Sequence, residues 1–352
     1  MAEMIAWSPF GAKRRGIPRE VAIFAVLVLL ASTGVLADGG ISSAASIGTR
    51  GTSTGNPATI APPWRWAASM AFDPKDGYSV LFGGYSGSTL YSDTWTYRAG
   101  NWTEIFPSVH PSGRGDGSMA YDPKDAGVVL FGGQGTAGYL HDTWKFSAGN
   151  WTHLRLSGFP SGRSGAALVY DAADGYLLLF GGANASGQLS DTWAFYSGSW
   201  HLLHPATSPP ARREAAIAYD AADGYVVLFG GLGAADLNDT WTFHAGVWTQ
   251  ISSGGAPGVR VSPAAAYDRA SGRVVLFGGR DDNTQTVWND TWTFHAGRWT
   301  EPSLPRQPPG RDWPAIAYDS SAKEVVVFGG ASGFYPLITL NDTWIYRAGA
   351  WS

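Results

Sequence analysis

Cysteine is absent from this chain. That excludes disulfides, thiolate metal centres and a cysteine nucleophile. Charge is scarce too. Asp, Glu, Lys and Arg make up 15% of the residues, the formal net charge is −4, and no long run carries one sign. Non-specific binding to nucleic acid therefore has no electrostatic basis, and no nucleic-acid partner is expected. No nucleophile elbow, phosphate-binding loop or zinc motif occurs. No catalytic residue, metal or cofactor is assigned on these grounds.

Long apolar runs are also missing, with one exception. Lys13, Arg14, Arg15 and Arg19 form a basic cluster, and the uncharged stretch Val21–Ala37 follows it. A basic flank, an apolar core and small residues before Asp38 read as an export signal. Residues 1–37 are thus expected to be a cleaved signal peptide or an uncleaved membrane anchor, the membrane being met only through that segment. Both readings place the rest of the chain outside the cytoplasm, secreted or held on the outer membrane face. Residues 38–54 read as a flexible Ser/Thr/Gly linker.

Glycine, proline and aromatics are abundant, with 47 Gly, 21 Pro and 14% aromatic residues. That profile suits many short strands joined by tight turns. The order within it is a repeat. Phe-Gly-Gly begins at Phe82, Phe131, Phe180, Phe229, Phe277 and Phe328. Asp-Thr-Trp ends at Trp95, Trp144, Trp193, Trp241, Trp292 and Trp344. A second Trp follows each at a constant interval: Trp102, Trp151, Trp200, Trp248, Trp299 and Trp351. Each unit opens on an Arg, at Arg65, Arg114, Arg163, Arg212, Arg260 and Arg311.

One unit reads as four strands. In the second copy, 117–121 is a short first strand, and a polar Asp-Pro turn follows it. The apolar run 128–131 predicts a strand buried on both faces. Gly132-Gly133 ends it where the backbone bends or comes close to another. Residues 134–141 read as a loop, 143–146 as a third strand and 151–154 as a fourth, with Gly149 in the hairpin between them. Four such strands cannot bury both faces alone. Six sheets packed around an axis can, with the repeated Trp and Phe filling the space between them.

On these marks (Arg65, Gly83-Gly84, Trp95, Trp102 and their equivalents) the chain resembles the kelch repeat family, whose unit is about 50 residues long. The resemblance implies an all-β, six-bladed propeller with four antiparallel strands per blade over 55–352. The sixth unit stops at Trp351-Ser352, so residues near 55–61 are expected to complete its sheet and hide the last edge. Galactose oxidase shares this fold, and its relatives use copper with a Tyr–Cys crosslink. The lack of cysteine excludes that chemistry.

The six Arg begin the innermost strands and are expected at one mouth of the channel. In kelch proteins that bind acidic peptides, Arg at this place contacts ligand carboxylates, so the resemblance implies the same role. The alternative is architectural pairing with the Asp of Asp-Thr-Trp, namely Asp93, Asp142, Asp191, Asp239, Asp290 and Asp342. Departures from the repeat are sharper clues. After the Arg come Trp66, Asp116, Ser164, Arg213 with Glu214, Ser262, and Asp312 with Trp313. The loops after Gly-Gly carry Tyr85 and Tyr91, the polar run 281–288 ending in Trp288, and Phe334, Tyr335 and Pro336. Flat apolar rings beside polar groups suit a sugar or a peptide.

The candidate ligand-binding set is therefore the six repeated Arg with Trp66, Asp116, Arg213, Glu214, Trp288, Asp312, Trp313 and Tyr335. Asn184, in a loop, is a potential glycosylation site. His244 and His295 hold the same place before Ala-Gly, where other copies carry Arg, Ser or Tyr, and read as surface residues. The reading favoured is a monomeric surface module that binds a protein or glycan, rather than an enzyme. A carbohydrate-active enzyme using Asp116, Glu214 and Asp312 with Arg is the first alternative, and a structural envelope component the second.

Overall fold

The computed structural model describes residues 61–352 except 253–254 and 335–336. The expected export segment and linker and, apart from Ala61, the expected closing segment lie outside the described residues.

Among the described residues six four-stranded antiparallel sheets form, each with its strands in chain order. In the second blade the strands are Ser118–Asp122, Gly127–Phe131, Thr143–Ser147 and Asn150–Leu154, within a residue of the sequence reading. The stretch read as a loop contains a two-residue hairpin, Gln134–Gly135 against Gly138–Tyr139. Four other blades carry the same small hairpin, and the fourth blade has a single bridge there, Leu232 to Asp236.

The second strand of each blade is the core. Val80, Leu81, Phe82, Val128, Leu130 and Phe131 are completely buried, as the unbroken apolar runs predict. The blades then lock through one repeated joint. Each Phe of Phe-Gly-Gly packs on the second Trp of the next blade, as Phe82 does on Trp151 at 5.3 Å and Phe180 on Trp248 at 5.1 Å. That indole N–H donates back to the Thr of the preceding blade's Asp-Thr-Trp, Trp151 to Thr94 and Trp248 to Thr192, each at 3.0 Å. Each such ring buries enough apolar surface for about 2–3 kcal/mol.

Gly-Gly serves the same joint. Gly83 and Gly84 have φ of +72° and +99°, and a Cβ on Gly83 would stand 2.4 Å from the Arg114 carbonyl of the next blade. The Gly84 N–H donates to that carbonyl at 2.8 Å.

The ring closes by these contacts among the described residues. Phe328 of the sixth blade packs on Trp102 of the first at 4.9 Å, and the Trp102 indole donates to Thr343 at 2.9 Å. The Gly330 N–H donates to the Arg65 carbonyl at 2.9 Å. In the last sheet Ala350–Trp351 forms the fourth strand, extended by two backbone bonds between Ser352 and Ile345.

Candidate functional site

The innermost strands run from one face of the ring to the other, so their first residues crowd one mouth of the channel. The repeated Arg lie there, but they point into the blades. Every one is essentially excluded from solvent. Arg212 donates to both carboxylate oxygens of Asp239, at 2.6 and 2.7 Å, and to the Gly230 and Pro210 carbonyls at 3.0 and 3.1 Å. Arg65, Arg114, Arg163, Arg260 and Arg311 repeat this with Asp93, Asp142, Asp191, Asp290 and Asp342. The same Asp also accepts the indole N–H of its Asp-Thr-Trp at 2.7 Å. Burial alone pushes the Asp239 carboxyl up, but the fork of Arg212 and the indole hold it below the ordinary carboxylate range. Of the two readings of these Arg, the structure shows the architectural pair. They are spent inside the blades and do not encircle the mouth with free guanidinium groups.

The loop aromatics divide in two. Tyr91 lies over the Arg65 guanidinium at 4.2 Å and Trp288 over that of Arg260 at 5.1 Å. These two are covers on the buried pairs. Trp288 also donates to the Val259 carbonyl at 3.3 Å. Tyr335 lies outside the described residues. Asn184 sits half-exposed in the small hairpin of the third blade, and its side-chain oxygen accepts the Ser186 N–H at 2.8 Å.

The second group faces the axis. Residues two and three beyond each Arg line the throat. At the first of these positions stand Ala67, Asp116, Gly165, Glu214, Ser262 and Trp313, all with φ between 49° and 62°. Five of them are not glycine, so this backbone carries strain. What holds it is a closed circuit. The Asp116 N–H donates to the Ala67 carbonyl, Gly165 to Asp116, Glu214 to Gly165, Ser262 to Glu214, Trp313 to Ser262 and Ala67 to Trp313, at 2.7–3.2 Å. Left-handed φ turns each amide toward the preceding blade. The space inside holds about 140 Å³ and is lined by these residues and their successors.

Above the throat the unrepeated side chains converge. Tyr85 stacks on Trp66 at 4.5 Å, Trp66 meets Trp313 at 4.7 Å, and the Arg280 guanidinium covers Trp313 at 3.9 Å. This stack crosses blades one, six and five. Its far end rests on Gly115 of blade two, where a Cβ would collide with the Tyr85 ring. Arg280 donates to Asp312 and Asp282, both at 2.7 Å. Arg213 lies 3.2 Å from Glu214, which accepts the Ser262 hydroxyl at 2.5 Å. Four carboxylates (Asp116, Glu214, Asp282 and Asp312) therefore meet two guanidiniums.

The imbalance shows in the protonation. Burial, then the neighbouring Glu214, pushes Asp116 up to about 8. Burial raises Asp312 to about 6 despite Arg280. Arg280 is held more firmly protonated by Glu214, Asp312 and Asp282, against its own burial. Asp312 Oδ1 and the Trp313 indole N–H are buried without a hydrogen-bond partner among the described residues. Such groups are costly to leave unpaired and suit a ligand that supplies a partner.

The structure thus brings together Trp66, Asp116, Arg213, Glu214, Asp312 and Trp313 from the candidate set and leaves the six Arg and Trp288 apart. Sequence reasoning passed over Arg280. Its signal is positional: the residue after Gly-Gly is Tyr85, Gln134, Ala183, Leu232, Arg280 or Ala331, and each bridges the residue after the repeated Arg. On the opposite face Asp220, Asp223 and His295 bring donor atoms within 4.8 Å of one another.

Residues 128–255 match the family described as KLHDC2/KLHL20/DRC7 Kelch-repeats domain. No curated protein matches the chain.

Proposed function

We propose that this chain binds a protein segment at the channel mouth, because it folds as a six-bladed β-propeller whose residues 128–255 match a kelch-repeat family and such propellers are generally protein-binding modules. The segment presents a cationic group, a Lys or Arg side chain or an amino terminus. One observation carries this reading: an aromatic pair, Trp66 and Trp313, beside an excess of buried carboxylate. Ring faces and carboxylates both attract a cation. Asp116 keeps its proton at neutral pH because burial and the neighbouring Glu214 outweigh the pull of Arg213 and Arg280, and a further cation is needed to neutralise it. A cationic ligand does so and displaces that proton. Affinity then rises with pH up to about 8. The basic cluster followed by the uncharged run Val21–Ala37, which reads as an export signal, supports an extracellular setting for this encounter.

Calorimetry with peptides differing only in charge tests the proposal. Lys-bearing peptides should bind more tightly than neutral ones and release close to one proton at pH 7. Trp313→Ala or Glu214→Gln should weaken them at least tenfold. Equal binding of acidic and basic peptides, or full retention in Trp313→Ala, sinks the reading; a glycan array run beside it exposes a sugar ligand instead.

One observation favours a second reading, the carbohydrate-active enzyme. Two carboxyls with raised and unequal pKa values, the half-buried Asp116 and the buried Asp312, are how general acids are kept protonated at neutral pH. Turnover of a sugar substrate lost in Asp312→Asn would establish it.

A further inference from the structure

The turns on the face opposite the channel mouth are built alike. In blade four the innermost strand ends at Asp220, whose Oδ1 accepts the Ala222 and Asp223 amides at 3.0 and 3.4 Å. Its Oδ2 is left completely buried and without a partner. A carboxylate oxygen in that state invites a cation.

The neighbours supply the rest of a site. Asp223 Oδ2 accepts the Tyr225 hydroxyl at 2.9 Å and the Ala296 N–H of blade five at 2.7 Å. These bonds fix the carboxylate at the blade junction. His295 precedes Ala296, and its Nδ1 lies 3.9 Å from Asp223 Oδ2. That nitrogen is also buried without a hydrogen-bond partner. One donor atom each from Asp220, Asp223 and His295 lies within 4.8 Å of the others. Ligands about 2.0–2.2 Å from a tetrahedral zinc ion stand roughly 3.4 Å apart, so a shift of about an ångström closes the set.

We propose that Asp220, Asp223 and His295 bind one divalent transition-metal ion of the zinc class, with water completing the coordination. Two carboxylates and an imidazole are hard and borderline donors, which suit zinc, cobalt or manganese better than the all-oxygen shells of calcium and magnesium. Asp220 and Asp223 come from blade four and His295 from blade five, so the ion would tie neighbouring blades in a chain that lacks cysteine.

The other junctions explain why the site is unrepeated. Blade three has the same pair, Asp171 and Asp174, facing His244, but His244 Nδ1 is engaged with the Gly224 carbonyl at 3.0 Å. Arg98 and Arg347 hold the corresponding place in blades one and six, and their charge repels a cation. Ser147 and Tyr196 stand there in blades two and three.

The full chain, stripped with EDTA, would be titrated with zinc against a chromophoric chelator, with cobalt absorption as a second readout. One equivalent should bind with micromolar or better affinity, raise the melting temperature by several degrees and give a cobalt d–d band showing nitrogen ligation. His295→Gln, on a partly exposed strand, should fold normally, lose affinity at least tenfold and lose that band; His244→Gln should retain both. Absence of stoichiometric binding, or binding unchanged in His295→Gln, overturns the proposal. None of these readouts depends on the channel-mouth ligand.

Discussion

Two populations of charge occupy the same blades and behave oppositely. The six Arg–Asp pairs are repeated, buried and saturated, each guanidinium meeting a carboxylate and two carbonyls. The cluster above the throat is unrepeated, unevenly balanced and keeps polar atoms unspent. A residue demanded by every blade serves the joint between elements. A residue allowed to vary at one fixed place is released for recognition.

The comparison breaks most visibly at a repeated pair. Arg212→Ala should cost about 3–5 kcal/mol, because it strands Asp239 in a mostly buried site. Urea unfolding measures this, and ligand affinity of the folded fraction should be unchanged. An affinity loss as large as that of Trp313→Ala would merge the two populations.

How much of this the sequence carries depends on the element. Phe-Gly-Gly and the paired Trp specify the blade, since a ring buried in every copy must recur at fixed spacing. The strand ends fall within a residue because Asp-x-x-x-Gly turns mark them, as Asp73 and Gly77 do. The small hairpins read as loops in the sequence because two residues per strand are too short to show alternation. Asp116, Glu214, Asp312, Trp66 and Trp313 were legible as departures from the repeat. Trp288 was not separable from them, because a sequence does not say whether a loop folds over its own blade or toward the axis. Arg280 escaped because its meaning lies in a bridge to Val261 in the same blade.

Acidity sharpens the contrast. Asp312 titrates near 3.8 when unfolded and about 6 when folded. Between those values the folded chain keeps a proton that the unfolded chain has released. Stability from this group is complete below pH 4 and lost as pH climbs through 6, by roughly 3 kcal/mol. Asp116 extends the fall toward pH 8. The paired carboxyls Asp142, Asp191, Asp239 and Asp342 are lowered and act in the reverse sense, below pH 4. Melting temperature should therefore drop between pH 4 and 8, and Asp312→Asn should flatten the lower part of that drop. A wild-type curve rising over this range contradicts the charge imbalance.

Gly115→Ala tests the aromatic stack without touching a charge. The added methyl displaces the Tyr85 ring, so stability should fall by about 1–3 kcal/mol. Ligand affinity should fall with it, and tryptophan fluorescence should report the disturbed Trp66. Trp288→Ala is the smallest change. It removes a cover from Arg260, costing about 1 kcal/mol, with peptide binding expected to match wild type.

The circuit of amides around the throat sets its bore with main-chain atoms alone. Side chains at those stations are fittings mounted on a rigid collar. Any residue that tolerates a left-handed backbone can be exchanged there without altering the number or tilt of the blades. Ligand preference can therefore drift, or be engineered, by swapping six fittings while the collar and the joints behind it stay fixed.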